Sequence, residues 1–150
     1  VLWDIGTGSG SIGISWCRSA PGTRTIAFEK RSDRAARAQG NAERLGVSDR
    51  FEVRVGDALA LMSDPSLPAP DAIFFGGGTC EVALAALPVG GRLVIHSVTL
   101  ETEALLAGLQ TRVGGELTKV SLETAMPLGS FRGWKPARAV TCYSLIKETP

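Results

Sequence analysis

The chain has 150 residues, 44% of them hydrophobic and 21% charged, which is enough apolar material for one compact domain with its own core. A formal net charge of +1 argues against a general polyanion binder. No apolar run is long enough to span a membrane, no signal peptide is visible, and Cys17, Cys80 and Cys142 have neither metal-ligand nor redox-pair spacing; the expectation is a cytoplasmic protein with reduced thiols and no membrane, nucleic-acid or metal partner.

The first residue is a valine already inside an apolar run, so the chain reads as a domain cut from a longer one, lacking the segment before its first strand. Val1 to Ile5 brings a carboxylate, Asp4, to the glycine-dense turn Gly6-Thr7-Gly8-Ser9-Gly10. Ile12, Ile14 and Trp16 then follow with helical spacing, giving strand, loop and helix in succession. Glycines suit a place where a Cβ would block both positive φ angles and close approach of main chain to a ligand. Two cofactor classes compete for the loop. Gly8-x-Gly10-x-x-Gly13, with Glu29 about 20 residues on, matches the dinucleotide fingerprint. Asp4-x-Gly6-x-Gly8-x-Gly10 matches the glycine loop of class I S-adenosylmethionine (SAM) methyltransferases, whose product is S-adenosylhomocysteine (SAH). A carboxylate beside phosphates is repelled, whereas it suits the ammonium of the methionine part of SAM; Asp4 therefore tilts the choice toward SAM.

Arg24 to Glu29 gives a second strand, the apolar run Thr25 to Phe28 ending in Glu29. Ser32 or Asp33 is the expected cap of an Ala- and Arg-rich helix that stops at Leu45-Gly46. Phe51 to Val55 alternates as a third strand and runs into Gly56-Asp57-Ala58. Leu67 to Pro70 leads to a fourth strand, Asp71 to Phe75, which opens on Gly76-Gly77-Gly78. A helix over Val82 to Leu87, the turn Pro88 to Gly91, a fifth strand over Arg92 to Ile95 and a helix over Glu101 to Gln110 continue the alternation, which predicts a Rossmann-like, doubly wound α/β fold. Glu116 to Glu123 and Arg138 to Ile146 are strand-like, with only the loop Ala125 to Ala137 between them, so they must pair antiparallel or sit at an edge. A mostly parallel seven-stranded sheet with an antiparallel C-terminal pair is the class I SAM methyltransferase pattern; a nicotinamide domain would keep alternating strand and helix.

On this scaffold the expected cofactor contacts are Asp4, Gly6, Thr7, Gly8, Ser9, Gly10, Glu29, Lys30, Asp57, Ala58 and Gly76. A carboxylate at Glu29 accepts both ribose hydroxyls in a fork, Asp57 accepts the adenine amino group, and the Ala58 N–H reads a ring nitrogen. The alternative for each acid is a helix cap or a solvated loop residue. Gly76-Gly77-Gly78 lacks the Asp/Asn-Pro-Pro-aromatic motif that polarises an amine. It offers instead backbone N–H groups and space for a bulky substrate or for carboxylates, or else a plain turn feeding a helix at Thr79.

The combination Trp3-Asp4-Ile5-Gly6-Thr7-Gly8-Ser9-Gly10-Ser11, Phe74-Phe75-Gly76-Gly77-Gly78 and Val98-Thr99-Leu100-Glu101-Thr102 resembles the decarboxylating precorrin methyltransferases of cobalamin (vitamin B12) synthesis, over nearly the whole chain. The likeness is to the CbiT type and especially to the C-terminal domain of the fused precorrin-6Y methyltransferases. It implies methylation of carbon 15 of the tetrapyrrole precorrin-6B with loss of carbon dioxide from the ring C acetate. It also implies a homo-oligomer, generally a tetramer, and, in fused enzymes, a separate N-terminal domain that methylates carbon 5. The macrocycle would supply the nucleophile and the electron sink, so no side-chain nucleophile is expected; His96 and Glu101 are the candidate catalytic proton handlers, against a structural histidine and a helix-dipole contact as alternatives. Substrate contacts are expected at Gly77, Gly78, Arg132 and Trp134, since guanidinium forks and an aromatic platform suit a flat ring bearing carboxylates; a subunit interface would use the same composition. The rival functions are a SAM-dependent RNA or small-molecule methyltransferase, an NAD-dependent oxidoreductase and a non-catalytic SAM-binding module.

Overall fold

The computed structural model describes residues 1–76 and 81–148. The tetrapeptide Leu2–Ile5 forms β1 and is buried throughout, as a strand covered on both faces must be. It pairs in parallel with β2 (Thr25–Glu29) on one side and β4 (Ala72–Phe75) on the other. The helices between strands are α1 (Ser11–Ser19), α2 (Ser32–Arg44), α3 (Ala58–Met62), α4 (Glu81–Ala86) and α5 (Leu100–Val113). With β3 (Phe51–Val55), β5 (Arg92–Ser97), β6 (Glu116–Val120) and β9 (Val140–Ile146), the seven-stranded sheet has the order β3-β2-β1-β4-β5-β9-β6. β9 runs antiparallel to both β5 and β6, the terminal pairing expected of consecutive strands without a crossover helix.

Alternation along the strands sends side chains to two cores. Trp3, Ile26, Phe28, Ile73 and Leu93 meet Leu106 and Leu109 of α5 on one face. On the other face Ala27 and Phe51 meet Ile14 and Cys17 of α1 and Ala38 and Ala42 of α2. α1 reaches its close seat because residue 13 is glycine: a Cβ there would lie 2.6 Å from Thr25 Cγ2 and 2.7 Å from Phe51 Cε2. The strand order reverses between β1 and β4, and it is outside the carboxyl ends of strands at such a switch point that α/β sheets bind ligands.

Several sequence expectations are corrected. The helix expected to be capped by Ser32 or Asp33 has Arg31 at its N-cap, without a side-chain cap; Asp33 instead pairs with the Arg31 guanidinium at 2.7 Å. His96 lies inside β5 rather than just past it. The region expected as a loop from Ala125 to Ala137 is a hairpin of β7 (Glu123–Leu128) and β8 (Phe131–Pro136), forming a two-stranded sheet of its own. The strand before it ends at Val120, and the one after begins at Val140 rather than Arg138. Gly77, Gly78, Thr79 and Cys80 fall outside the described residues. Among the described residues no helix is long and apolar enough to cross a membrane.

Candidate functional site

The end of β1 and the loop after it are organised by one carboxylate. Asp4 is 1% exposed, and its Oδ2 accepts hydrogen bonds from Thr7 Oγ1 at 2.5 Å and from the Gly13 N–H at 3.1 Å. The first bond shapes the loop, and the second satisfies a donor in the opening turn of α1 that has no carbonyl partner within its own helix. Oδ1 of the same carboxylate is buried and has no hydrogen-bond partner among the described residues. Burial pushes the Asp4 carboxyl above its ordinary range; the Thr7 and Gly13 bonds pull it down, and the nearby charge of Glu29 pushes it up again. Gly6, Gly8 and Gly10 carry φ angles of 72°, 59° and 82°, the left-handed region that favours glycine. Ser9 is exposed, and its carbonyl accepts from Asn41 Nδ2 of α2 at 2.7 Å.

Glu29, buried at the end of β2, faces this loop. Its Oε2 accepts the Gly8 N–H at 3.0 Å, and its Oε1 accepts the Arg31 N–H at 3.0 Å. Each oxygen keeps lone-pair capacity for a further donor. Lys30 beside it is exposed. The Gly56 N–H donates to the Glu29 carbonyl at 3.0 Å, which brings the next residue, Asp57, to the same edge. Asp57 caps α3, its Oδ1 accepting from the Leu59 and Ala60 N–H groups at 3.1 and 3.2 Å. Ala58 is the first residue of that helix. Gly76, after β4, donates its N–H to the Ile5 carbonyl at 3.0 Å; a Cβ there would stand 3.1 Å from the Gly6 carbonyl oxygen.

The ends of β1, β2, β3 and β4 thus bring Asp4, Gly6, Thr7, Gly8, Glu29, Asp57 and Gly76 to one edge. His96 is half-buried on β5, its ring edge-on to Phe74 of β4 with centroids 5.0 Å apart. Glu101 is exposed in the first turn of α5, behind the N-cap Thr99. Arg132 and Trp134 lie on β8 with their side chains exposed, and among the described residues neither bonds to the loop cluster. Sequence reasoning missed the loop supports. Gly13 was visible as the last glycine of the dinucleotide-like spacing, whereas Asn41 and the Arg31 N–H carry no local signal.

The family model for the precorrin methyltransferase domain matches residues 1–147. The chain belongs to that family. As a precorrin methyltransferase domain it is similar to the precorrin-6Y C(5,15)-methyltransferase [decarboxylating] of a Sinorhizobium species, with 45% identity over 98% of this chain and 36% of that protein. The protein of the same name from Mycobacterium tuberculosis is 44% identical over 98% of this chain and 38% of its own length. Among solved structures, the C-terminal domain of precorrin-6Y C5,15-methyltransferase from Rhodobacter capsulatus superposes with a TM-score of 0.86 at 41% identity, over 95% of this chain and 78% of that one. The chain therefore spans less than two-fifths of the length of these two curated relatives.

Methyltransferase relatives imply the use of SAM, and the residues of this precorrin methyltransferase domain fit it. A buried carboxylate oxygen without a partner suits a cationic amino acid moiety nearby. A floor of glycines, where a Cβ at Gly76 would crowd the Gly6 carbonyl, leaves main chain free to approach a ligand closely.

Proposed function

We propose that the chain is the SAM-dependent domain that methylates carbon 15 of precorrin-6B and removes the ring C acetate carboxyl as carbon dioxide. The family match over residues 1–147 carries this reading, and the loop geometry supports its cofactor half. Asp4, Gly6, Thr7, Gly8, Ser9 and Gly10 would hold the methionine part, Glu29 the ribose hydroxyls with Lys30 at the rim, and Asp57 with the Ala58 N–H the adenine. Gly76, Gly77 and Gly78 would leave room for the macrocycle beside the reacting methyl group. Arg132 and Trp134 would meet its carboxylates and flat face.

When bound, SAM supplies a methyl group on a sulfonium that is already electrophilic. The protein's part is alignment and exclusion of water: the glycine loop and Glu29 fix the nucleoside end, and the carboxyl ends of β4 and β5 frame the acceptor carbon. The acetate carboxylate leaves as carbon dioxide, and its bonding electrons pass into the conjugated ring. His96 and Glu101 are the proposed proton handlers, at the imidazole and the carboxylate. Calorimetry with SAH and with NAD tests the cofactor class; incubation with SAM and precorrin-6B, followed by mass spectrometry for a gained methyl and a lost carboxyl, tests the reaction. Tight NAD binding without SAH binding would overturn the reading. Arg132→Ala with unchanged precorrin turnover and affinity would remove the hairpin from the substrate site.

The same proposal includes assembly and setting. Leu128 and Phe131, side by side near the tip of the hairpin, are 68% and 78% exposed, and Trp134 is 71% exposed. A two-stranded hairpin is marginal in water on its own, so a second copy of this chain, within a tetramer, is the proposed cover. The unmatched length of the curated relatives supports a preceding carbon-5 methyltransferase domain in the full polypeptide, and the unpaired thiols of Cys17 and Cys142 suit the cytoplasm.

A further inference from the structure

The Asp4 carboxylate is placed where an ionised acid is costly. Both of its oxygens are out of water; Oδ2 is shared by a hydroxyl and an amide, and Oδ1 has no donor among the described residues. Among the titratable groups of the described residues, Glu29 is the one whose charge acts on Asp4. Glu29 of β2 is a second buried acid, joined to the same loop through the Gly8 N–H. Cys17 of α1 lies behind Gly13, its thiol spent on Thr25 Oγ1 and the Arg50 carbonyl. On the β4 side Phe74 pairs with Asp4 in register and carries His96 of β5 on its far side. Among the described residues no cation is paired with Asp4. An acid so placed gains from either of two positive partners, a proton or an ammonium brought by a ligand.

We propose that Asp4 carries a proton when the loop is without ligand and surrenders it when a ligand's ammonium arrives, so that cofactor binding is coupled to proton release. The proposal rests on the SAM reading above. The O–H bond of the Asp4 carboxyl breaks, its electron pair stays on the carboxylate, the proton goes to bulk solvent, and the ligand's ammonium takes over the neutralising charge. Burial and the Glu29 charge, which raise the Asp4 carboxyl in the absence of ligand, are what the incoming cation offsets. Asp4 thereby sets the pH dependence of affinity, in addition to shaping the loop through Thr7 and Gly13.

The test is calorimetric titration of SAH into the protein from mildly acidic to neutral pH, in buffers of different ionisation enthalpy. The dependence of observed heat on buffer ionisation gives the number of protons released. Release of up to one proton per site is expected, with affinity rising about tenfold per pH unit where release is complete. Asp4→Asn should bind SAH with no Asp4-linked release. Thr7→Val keeps the acid but removes a hydrogen bond to its charged form, so release should persist to higher pH. SAH binding with no proton release at any pH, release retained in Asp4→Asn, or an unmoved window in Thr7→Val would each overturn the coupling. A failure of SAH to bind at all would instead overturn the cofactor reading.

Discussion

Gly13 and Gly40 both sit inside helices, yet an added methyl group meets opposite surroundings at the two. At Gly13 it would fall 2.6 Å from Thr25 Cγ2 and 3.0 Å from Asp4 Oδ2; at Gly40 nothing lies within 4 Å. Gly13→Ala should therefore destabilise the fold by about 1–3 kcal/mol through overpacking. Gly40→Ala should stabilise it by about 0.5–1 kcal/mol by reducing the freedom of the unfolded chain. Urea unfolding of the two variants beside wild type checks both signs. The Asp4 carboxyl makes a pH prediction of its own. Because it is raised in the folded state, its contribution to stability is present below the unfolded carboxylate range and is lost as pH rises through the raised value. Ligand-free protein should thus lose thermal stability from mild acid toward neutral pH relative to Asp4→Asn, and parallel melting curves would contradict this. The placement of Asp4, Glu29 and Asp57 at strand ends was legible in the sequence. The partners of Asp4 were not, because the Gly13 N–H reaches it only once α1 has docked on the sheet.

Among the elements, α1 depends on a residue from outside it. Arg50, in the turn before β3, directs Nη1 toward the carbonyls of Cys17 and Ala20, where the helix runs out of N–H partners, and toward that of Thr23 in the connection after it. Arg50→Ala should cost about 1–3 kcal/mol, read as a lower denaturation midpoint with an unchanged slope, because those carbonyls lose a charged donor. Nothing local in Ser48-Asp49-Arg50 announces this duty. The hairpin shows the same limit. Pro127, Gly129, Gly133 and Pro136 break the strand pattern, so the stretch reads as loop. The structure nevertheless pairs Pro127 with Arg132 and Leu128 with Phe131, and Gly129 takes the turn at φ 60°. Leu128→Asp together with Phe131→Asp should shift sedimentation toward a smaller species while the thermal shift caused by SAH persists; an unaltered sedimentation profile would remove the hairpin from assembly.

At the scale of the molecule, the alternation of short apolar runs with helical stretches made the doubly wound class legible, and the missing helix between the last strands made their antiparallel pairing legible. The insertion of β9 between β5 and β6 was not, since it depends on which edge the returning chain finds unpaired. The hairpin shares no ladder with the seven-stranded sheet, and the Ala137 N–H to Leu122 carbonyl bond, 2.8 Å long, ties the chain together at its base. It is in effect a detachable handle. Its residues are free to change under selection without disturbing the nucleoside end, and exchanging it for the corresponding ribbon of a relative should retune what the protein grips or associates with while the Rossmann-like body melts as before.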